Sequence, residues 1–143
     1  MKREEMRVYQ EIQRNARTAV MAIDTVADKV YDRDLSAYLS RQSLEYSGLQ
    51  NQATEKLLEC GMEPVQSNHL SEMALKSSLH YNTLLNNSTS RIAELMMKES
   101  SAGMVAMNKV LNHNEEAAES SVALAHRLLE LQEGSIEHLK KFL

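Results

Sequence analysis

Cysteine, proline, tryptophan and glycine are scarce in this chain: its 143 residues include one Cys, one Pro, no Trp and four Gly. A single thiol, Cys60, excludes an internal disulfide and a thiolate-clustered zinc site, and it fits a reducing compartment. So little Pro and Gly excludes a turn-rich β-sandwich, which needs turn residues at short intervals. Positive charge does not dominate either. Sixteen Lys and Arg against twenty Asp and Glu leave a formal charge of −4, and the basic residues are interspersed with acidic ones. That describes a solvated face and not a phosphate-tracking one, so no nucleic-acid partner is expected. No apolar run approaches the ~20 residues that span a bilayer, so no membrane partner is expected. Met1-Lys2-Arg3-Glu4-Glu5 lacks the apolar stretch of a signal peptide, and the expected location is cytoplasmic.

What the chain has is helix-forming residues: 43% are hydrophobic, with nine Met among many Ala, Leu, Glu and Lys. Apolar positions recur at helical spacing in the first segment, at Met6, Tyr9, Ile12, Ala16, Ala19, Val20, Ile23, Val26 and Val30. This stripe leaves Arg7, Glu11, Arg14, Arg17 and Asp28 largely outside it. Asp32-Arg33-Asp34 interrupts the pattern and supplies a cap for a second helix, whose stripe is Leu35, Leu39, Gln42, Tyr46, Leu49, Ala53, Leu57 and Cys60. Gly61 stands where a left-handed residue would stop that helix, and Pro64 prevents its resumption. Beyond it, Leu70, Met73, Ala74, Ser77, Tyr81, Leu84 and Leu85 form a short amphipathic segment. Asn86-Asn87-Ser88-Thr89-Ser90 competes for backbone hydrogen bonds and predicts a break. A further helix restarts near Ser88, and the last one opens at a capping box of Asn112 and Glu115, with Asn114 as a competing cap. Its inward stripe is Ala117, Ser121, Leu124, Leu128, Leu131, Ser135, His138 and Phe142. The expected helices are therefore about 4–30, 33–60, 69–86, 88–112 and 115–141, in one domain over 1–143. The simplest architecture is an all-α four-helix bundle, with the short segment serving as a helical crossover between its second and third long helices.

Several segments carry a resemblance: Gly61-Met62-Glu63-Pro64, His69-Leu70-Ser71-Glu72-Met73-Ala74-Leu75, Ile92-Ala93-Glu94-Leu95-Met96, and the ending Ile136-Glu137-His138-Leu139-Lys140-Lys141-Phe142-Leu143. On these the chain resembles small bacterial four-helix-bundle proteins of unknown function in the ferritin-like superfamily. The resemblance implies a fold and a superfamily and implies no reaction.

Ferritin-like enzymes hold two irons with a Glu from each of two helices and a Glu-x-x-His pair from each of the others. Residues three apart share a helix face, and bridging carboxylates neutralise the cations. Here the second helix offers Gln42-x-x-Glu45, the last offers Ser135-x-x-His138, and the first has Gln13 or Asn15 where a Glu is wanted. The full set is absent, so no metal, cofactor or catalytic residue is expected. A degenerate site would draw on Glu45, Glu94, Glu99 and His138. Met96, Met97, Met104 and Met107 are expected as core filler and not as soft-metal ligands, and Cys60 as a small buried hydrophobe. No nucleophile elbow or Gly-rich phosphate loop occurs.

The expectation is a non-enzymatic structural or interaction module that associates with itself or another protein through a helix face. The small residues Ser100, Ser101, Ala102 and Gly103 would allow close helix approach. The alternative is a metal-binding or redox protein with the degenerate carboxylate/His site.

Overall fold

Local chemistry sets the helix boundaries. In the computed structural model, which describes residues 1–63 and 68–143, helix α1 spans Arg3–Val26 and ends in a 3-10 turn, Ala27–Lys29. Asp32 Oδ1 accepts the Leu35 N–H at 2.9 Å and opens α2, Arg33–Glu59. At its far end Gly61 takes φ +73°. Its N–H donates to the Leu58 carbonyl and the Met62 N–H to the Leu57 carbonyl, both at 3.0 Å. This paired closure satisfies two of the last carbonyls of the helix. Pro64 lies outside the described residues.

Asn68 Oδ1 accepts the Ser71 N–H at 3.2 Å and starts α3, His69–Leu85. The polar run beyond it does break the helix. Asn86 Oδ1 takes the Ser88 N–H at 3.0 Å, Ser88 Oγ takes the Arg91 N–H at 3.1 Å, and α4 runs from Thr89 to His113. The start of the last helix differs from expectation. Asn112 remains inside α4, while Asn114 closes α4 by donating its side-chain amide to the Val110 carbonyl at 2.7 Å. A turn follows, and α5 covers Glu119–Leu139, ending in a 3-10 turn, Lys140–Phe142. An Asn competes equally well for the carbonyls behind it and the amides ahead of it, and here the former win.

All described regular structure is helical. Cross-helix bonds fix the directions. Tyr9 Oη meets Ser120 Oγ at 3.3 Å and Gln132 Nε2 donates to Asn15 Oδ1 at 2.7 Å, so α5 runs with α1. Arg17 pairs with Glu72 at 3.1 Å and Lys29 Nζ meets His80 Nδ1 at 2.7 Å, so α3 also runs with α1. Asn15 bonds the Gly103 carbonyl in α4, and Gln13 bonds Thr54 in α2 at 3.1 Å. Helix α2 opposes α5, since Tyr38 stacks on His138 near one end and Gln52 bonds Arg127 farther along; α4 opposes α5 too, since Ser100 meets Ser135 and Gly103 lies beside Gln132, so both oppose α1. Helix α1 packs against α2, α3, α4 and α5, while α5 closes on α4 tightly and on α2 more loosely. The core contains Val8, Ile12, Ala16, Leu35, Leu57, Ile92, Met107 and Leu128, all fully buried.

Two faces differ from the sequence reading. Glu11 is buried at 3% exposure instead of outside the stripe, and its carboxylate is held by Arg14 on the same helix. With four neighbours around it, α1 buries more than one stripe, and the ion pair offsets the cost of sheltering a charge. Helix α3 is turned over. It seats Leu79 and Thr83 against the body, whereas Leu70, Met73, Tyr81, Leu84 and Leu85 point outward.

Candidate functional site

The polar groups expected to sit inside the bundle divide among three places. The most enclosed is a chamber formed by α1, α2, α4 and α5, lined by Asn15, Gln42, Tyr46, Glu99, Ser100, Gln132 and Ser135 together with Ala19, Ile23, Leu39 and Met96. Each polar residue faces inward because it falls on a buried helical stripe: Asn15 follows Ile12 by three, and Gln132 follows Leu128 by four. Asn15 is the organising group. Its Nδ2 donates to the Gly103 carbonyl at 2.8 Å and its Oδ1 accepts from Gln132 Nε2. Glycine at 103 leaves room for this pair: a Cβ there would lie 2.7 Å from Asn15 Oδ1 and closer still to Gln132 Nε2, so both side-chain ends would have to shift. The small-residue stretch of α4 thus admits neighbours from within the chain. Ser100 Oγ donates to Ser135 Oγ at 3.3 Å, and Gln42 Nε2 donates to the Tyr38 hydroxyl at 2.9 Å.

Burial controls the protonation of the chamber. It pushes the Glu99 carboxyl above the usual range, because the charged form is poorly solvated. It also raises the Tyr46 phenol strongly, against a smaller opposing effect of the Ser100 hydroxyl. The free space enclosed is about 20 Å³, far below the several hundred that organic ligands occupy. Gln132 is 1% exposed, and its Oε1 has no hydrogen-bond partner among the described residues.

The second place is an open groove of about 610 Å³ along the looser α2–α5 seam, lined by Tyr38, Glu45, Gly48, Arg127, Glu130, Gly134 and His138 among others. The His138 ring stacks on Tyr38 with centroids 3.8 Å apart and planes 17° apart. Desolvation lowers the imidazole pKa first, helped by Lys141 and Arg41, so the neutral ring is favoured. The Tyr38 phenol is raised by burial, partly offset by the Ser135 hydroxyl.

The third place is the outer surface of α4. Glu94 pairs there with Arg91 at 3.1 Å and Lys98 at 3.3 Å, and these bonds lower its pKa.

The four residues of the degenerate site are therefore not brought together: Glu99 lines the chamber, Glu45 and His138 line the groove, and Glu94 serves surface ion pairs. Among the described residues, no three His, Cys, Asp or Glu side chains come close enough to share a metal ion. The chamber itself does not fit the diiron group that ferritin-like enzymes hold. Its donors are amides and hydroxyls bonded to one another, with Glu99 the one carboxylate lining it, and neutral oxygens cannot balance two cations. Cys60 is exposed, not buried: it is the C-cap of α2, one residue past the last helical position. Met96 and Met107 are core residues. His69, His80, His113 and His126 are exposed and scattered over three helices.

Gln42, Tyr46 and Ser135 belong to the inward stripes legible in the sequence; Gln132 does not. The available signal was spacing: Gln132 lies four residues beyond Leu128 and three before Ser135, between two members of the chosen stripe.

No protein-family model, curated protein or solved structure matches the chain. None of the described helices is long and apolar enough to cross a membrane.

Proposed function

We propose that the chain is a non-enzymatic four-helix bundle of the ferritin-like kind, working as a structural or interaction module. Helices α1, α2, α4 and α5 would be its four members and α3 its crossover. The direction of the helices supports this reading, since α2 and α4 run the same way and α3 returns between them on the outside of α1. The observation that carries it is the Asn15–Gln132–Gly103 cluster. Where a diiron bundle puts carboxylates, this chain puts amides that bond each other, so the polar interior fixes the packing of three helices. A chamber of about 20 Å³ leaves no room for an organic substrate beside them.

One observation favours the alternative of a metal-handling bundle: Glu99 shares the chamber with Gln132, whose Oε1 is buried without a partner among the described residues. Metal analysis of protein purified without chelators separates the two. A metal-free protein that keeps its full thermal stability after chelator treatment supports the structural module. Stoichiometric iron or manganese, with a fall in melting temperature once it is stripped, supports the alternative and sinks the first reading.

A further inference from the structure

We propose that the outward stripe of α3 is the contact face of a homodimer, with the two copies of α3 antiparallel and Ser77 at the two-fold axis. This rests on reading the chain as an interaction module and names the partner as a second copy.

The starting point is the reversed seating of α3. At 100° per residue, Leu79 and Thr83 lie on the side facing the body, Leu70 and Tyr81 lie about half a turn away, and Met73 and Leu84 about a third of a turn away on the flank of that outer face. These last four are, in that order, 80%, 64%, 52% and 83% exposed. Ala74 and Ser77 complete the stripe, which holds no charged residue. The charged neighbours are turned away from it: Glu72 pairs with Arg17, and Lys76 lines the groove beside α1 with Asp24 and Asp28. Leu70, Ser77 and Leu84 are seven apart, the period at which one helix keeps a seam against another.

The occupant follows from the order of residues along the stripe. Leu70 and Leu84 stand seven places to either side of Ser77, and Met73 and Tyr81 stand four places to either side. A two-fold axis through Ser77 therefore sets Leu70 on Leu84 of the second copy and Met73 on its Tyr81, as self-complementary interfaces require. Thioether against aromatic ring is a favourable pair, and small Ser77 residues at the axis let the backbones approach. The area agrees. With Leu85 at the edge, 69% exposed, the stripe presents on the order of 600 Å² of apolar side chain, the most that a monomer ordinarily leaves open. Two such faces would bury on the order of 1,200 Å² in total, the lower bound for a specific pair.

The test is sedimentation velocity on the intact chain over a hundredfold concentration range, together with cysteine cross-linking. The wild type is expected to show a reversible species of twice the 16.2 kDa chain mass. Leu84→Glu and Leu70→Glu are expected to weaken it at least tenfold with the helical circular dichroism unchanged, since both side chains already face solvent. In a Cys60→Ser background, Ser77→Cys is expected to form a disulfide-linked dimer on mild oxidation, while Ser40→Cys, exposed on α2, does not. A monomer at every concentration overturns the proposal. So does a dimer that survives both Glu substitutions, or equal cross-linking through Ser40→Cys. None of these outcomes bears on the metal analysis, so failure of this face and failure of the reading of the core remain distinguishable.

Discussion

Asn15 and Gln132 are joined by a 2.7 Å hydrogen bond although 117 positions separate them in the chain. The bond ties the first helix to the last at mid-height, and the carbonyl of Gly103 brings in a third helix through the same Asn15 amide. Removing one partner orphans the rest in a buried setting. Asn15→Ala is expected to cost about 1–3 kcal/mol of unfolding free energy. The double variant Asn15→Ala/Gln132→Ala should cost less than the sum of the singles by at least ~0.5 kcal/mol. Urea denaturation of the four proteins measures this, and strict additivity would show that the two amides do not cooperate.

Gly103→Ala tests the same junction from the backbone side. On helix propensity alone the substitution should stabilise α4 by about 1 kcal/mol. Here the added methyl runs into the Gln132 side-chain amide, so a net loss of about 1–3 kcal/mol is expected. Adding Gln132→Ala to that background should recover part of the loss. A stabilised Gly103→Ala single variant would mean that Gln132 swings aside at no cost.

Glu99 gives the core a pH dependence of definite sign. Its folded pKa lies above the ordinary 4.5 because burial disfavours the anion, so the folded state holds the proton more tightly than the unfolded chain. Stability attributable to this group is present at acidic pH and is lost as pH rises from about 4.5 through the folded pKa. Glu99→Gln keeps the shape and removes the titration. Its melting temperature relative to wild type should climb as pH is raised from 4 to 8. Glu94, lowered by Arg91 and Lys98, has the opposite sign, its contribution being lost on acidification. A pH-independent difference between Glu99→Gln and wild type would contradict the placement of Glu99.

The tyrosines offer a spectroscopic check. Tyr31 and Tyr81 are 78% and 64% exposed, whereas Tyr46 is 2% exposed and its phenol is raised by burial. In an ultraviolet titration the Tyr46 signal should appear well after the exposed pair, and Tyr46→Phe should shrink the late component, to which the raised Tyr38 phenol also contributes. Because the folded pKa is raised, the contribution of Tyr46 to stability holds below pH 10 and falls above it.

Much of the helix map was legible because it depends on neighbours in the chain. Asp32, Gly61, and the Asn86–Ser90 cluster each bind backbone groups within a few residues, and those contacts are written in the sequence. What was not legible depends on distant partners. Asn112, with Asn114 competing, reads as the opening cap of the last helix, although Asn112 lies inside α4 and the Asn114 side chain closes it, and only the turn at 115–118 decides between them. Helix α3 has an apolar and a mixed face, and amphipathicity alone assigns the apolar one inward. The mixed face docks instead, through Glu72 to Arg17 and His80 to Lys29, because ion and hydrogen-bond partners on α1 meet it there. Of the candidate ligands, Glu99 and His138 fall on inward stripes, and Glu45 and Glu94 flank them. A shift of one position on a helix moves a side chain by about 100°, which is the difference between Glu99 in the chamber and Lys98 on the surface.

The account stands most directly on whether the chamber is a packing device or a metal centre. Titrating chelator-stripped protein with Fe(II), Mn(II) and Zn(II) in a calorimeter addresses this. We expect no saturable heat and no rise in melting temperature with any of the three. A saturable isotherm of one or two ions per chain that Glu99→Gln abolishes would contradict the account.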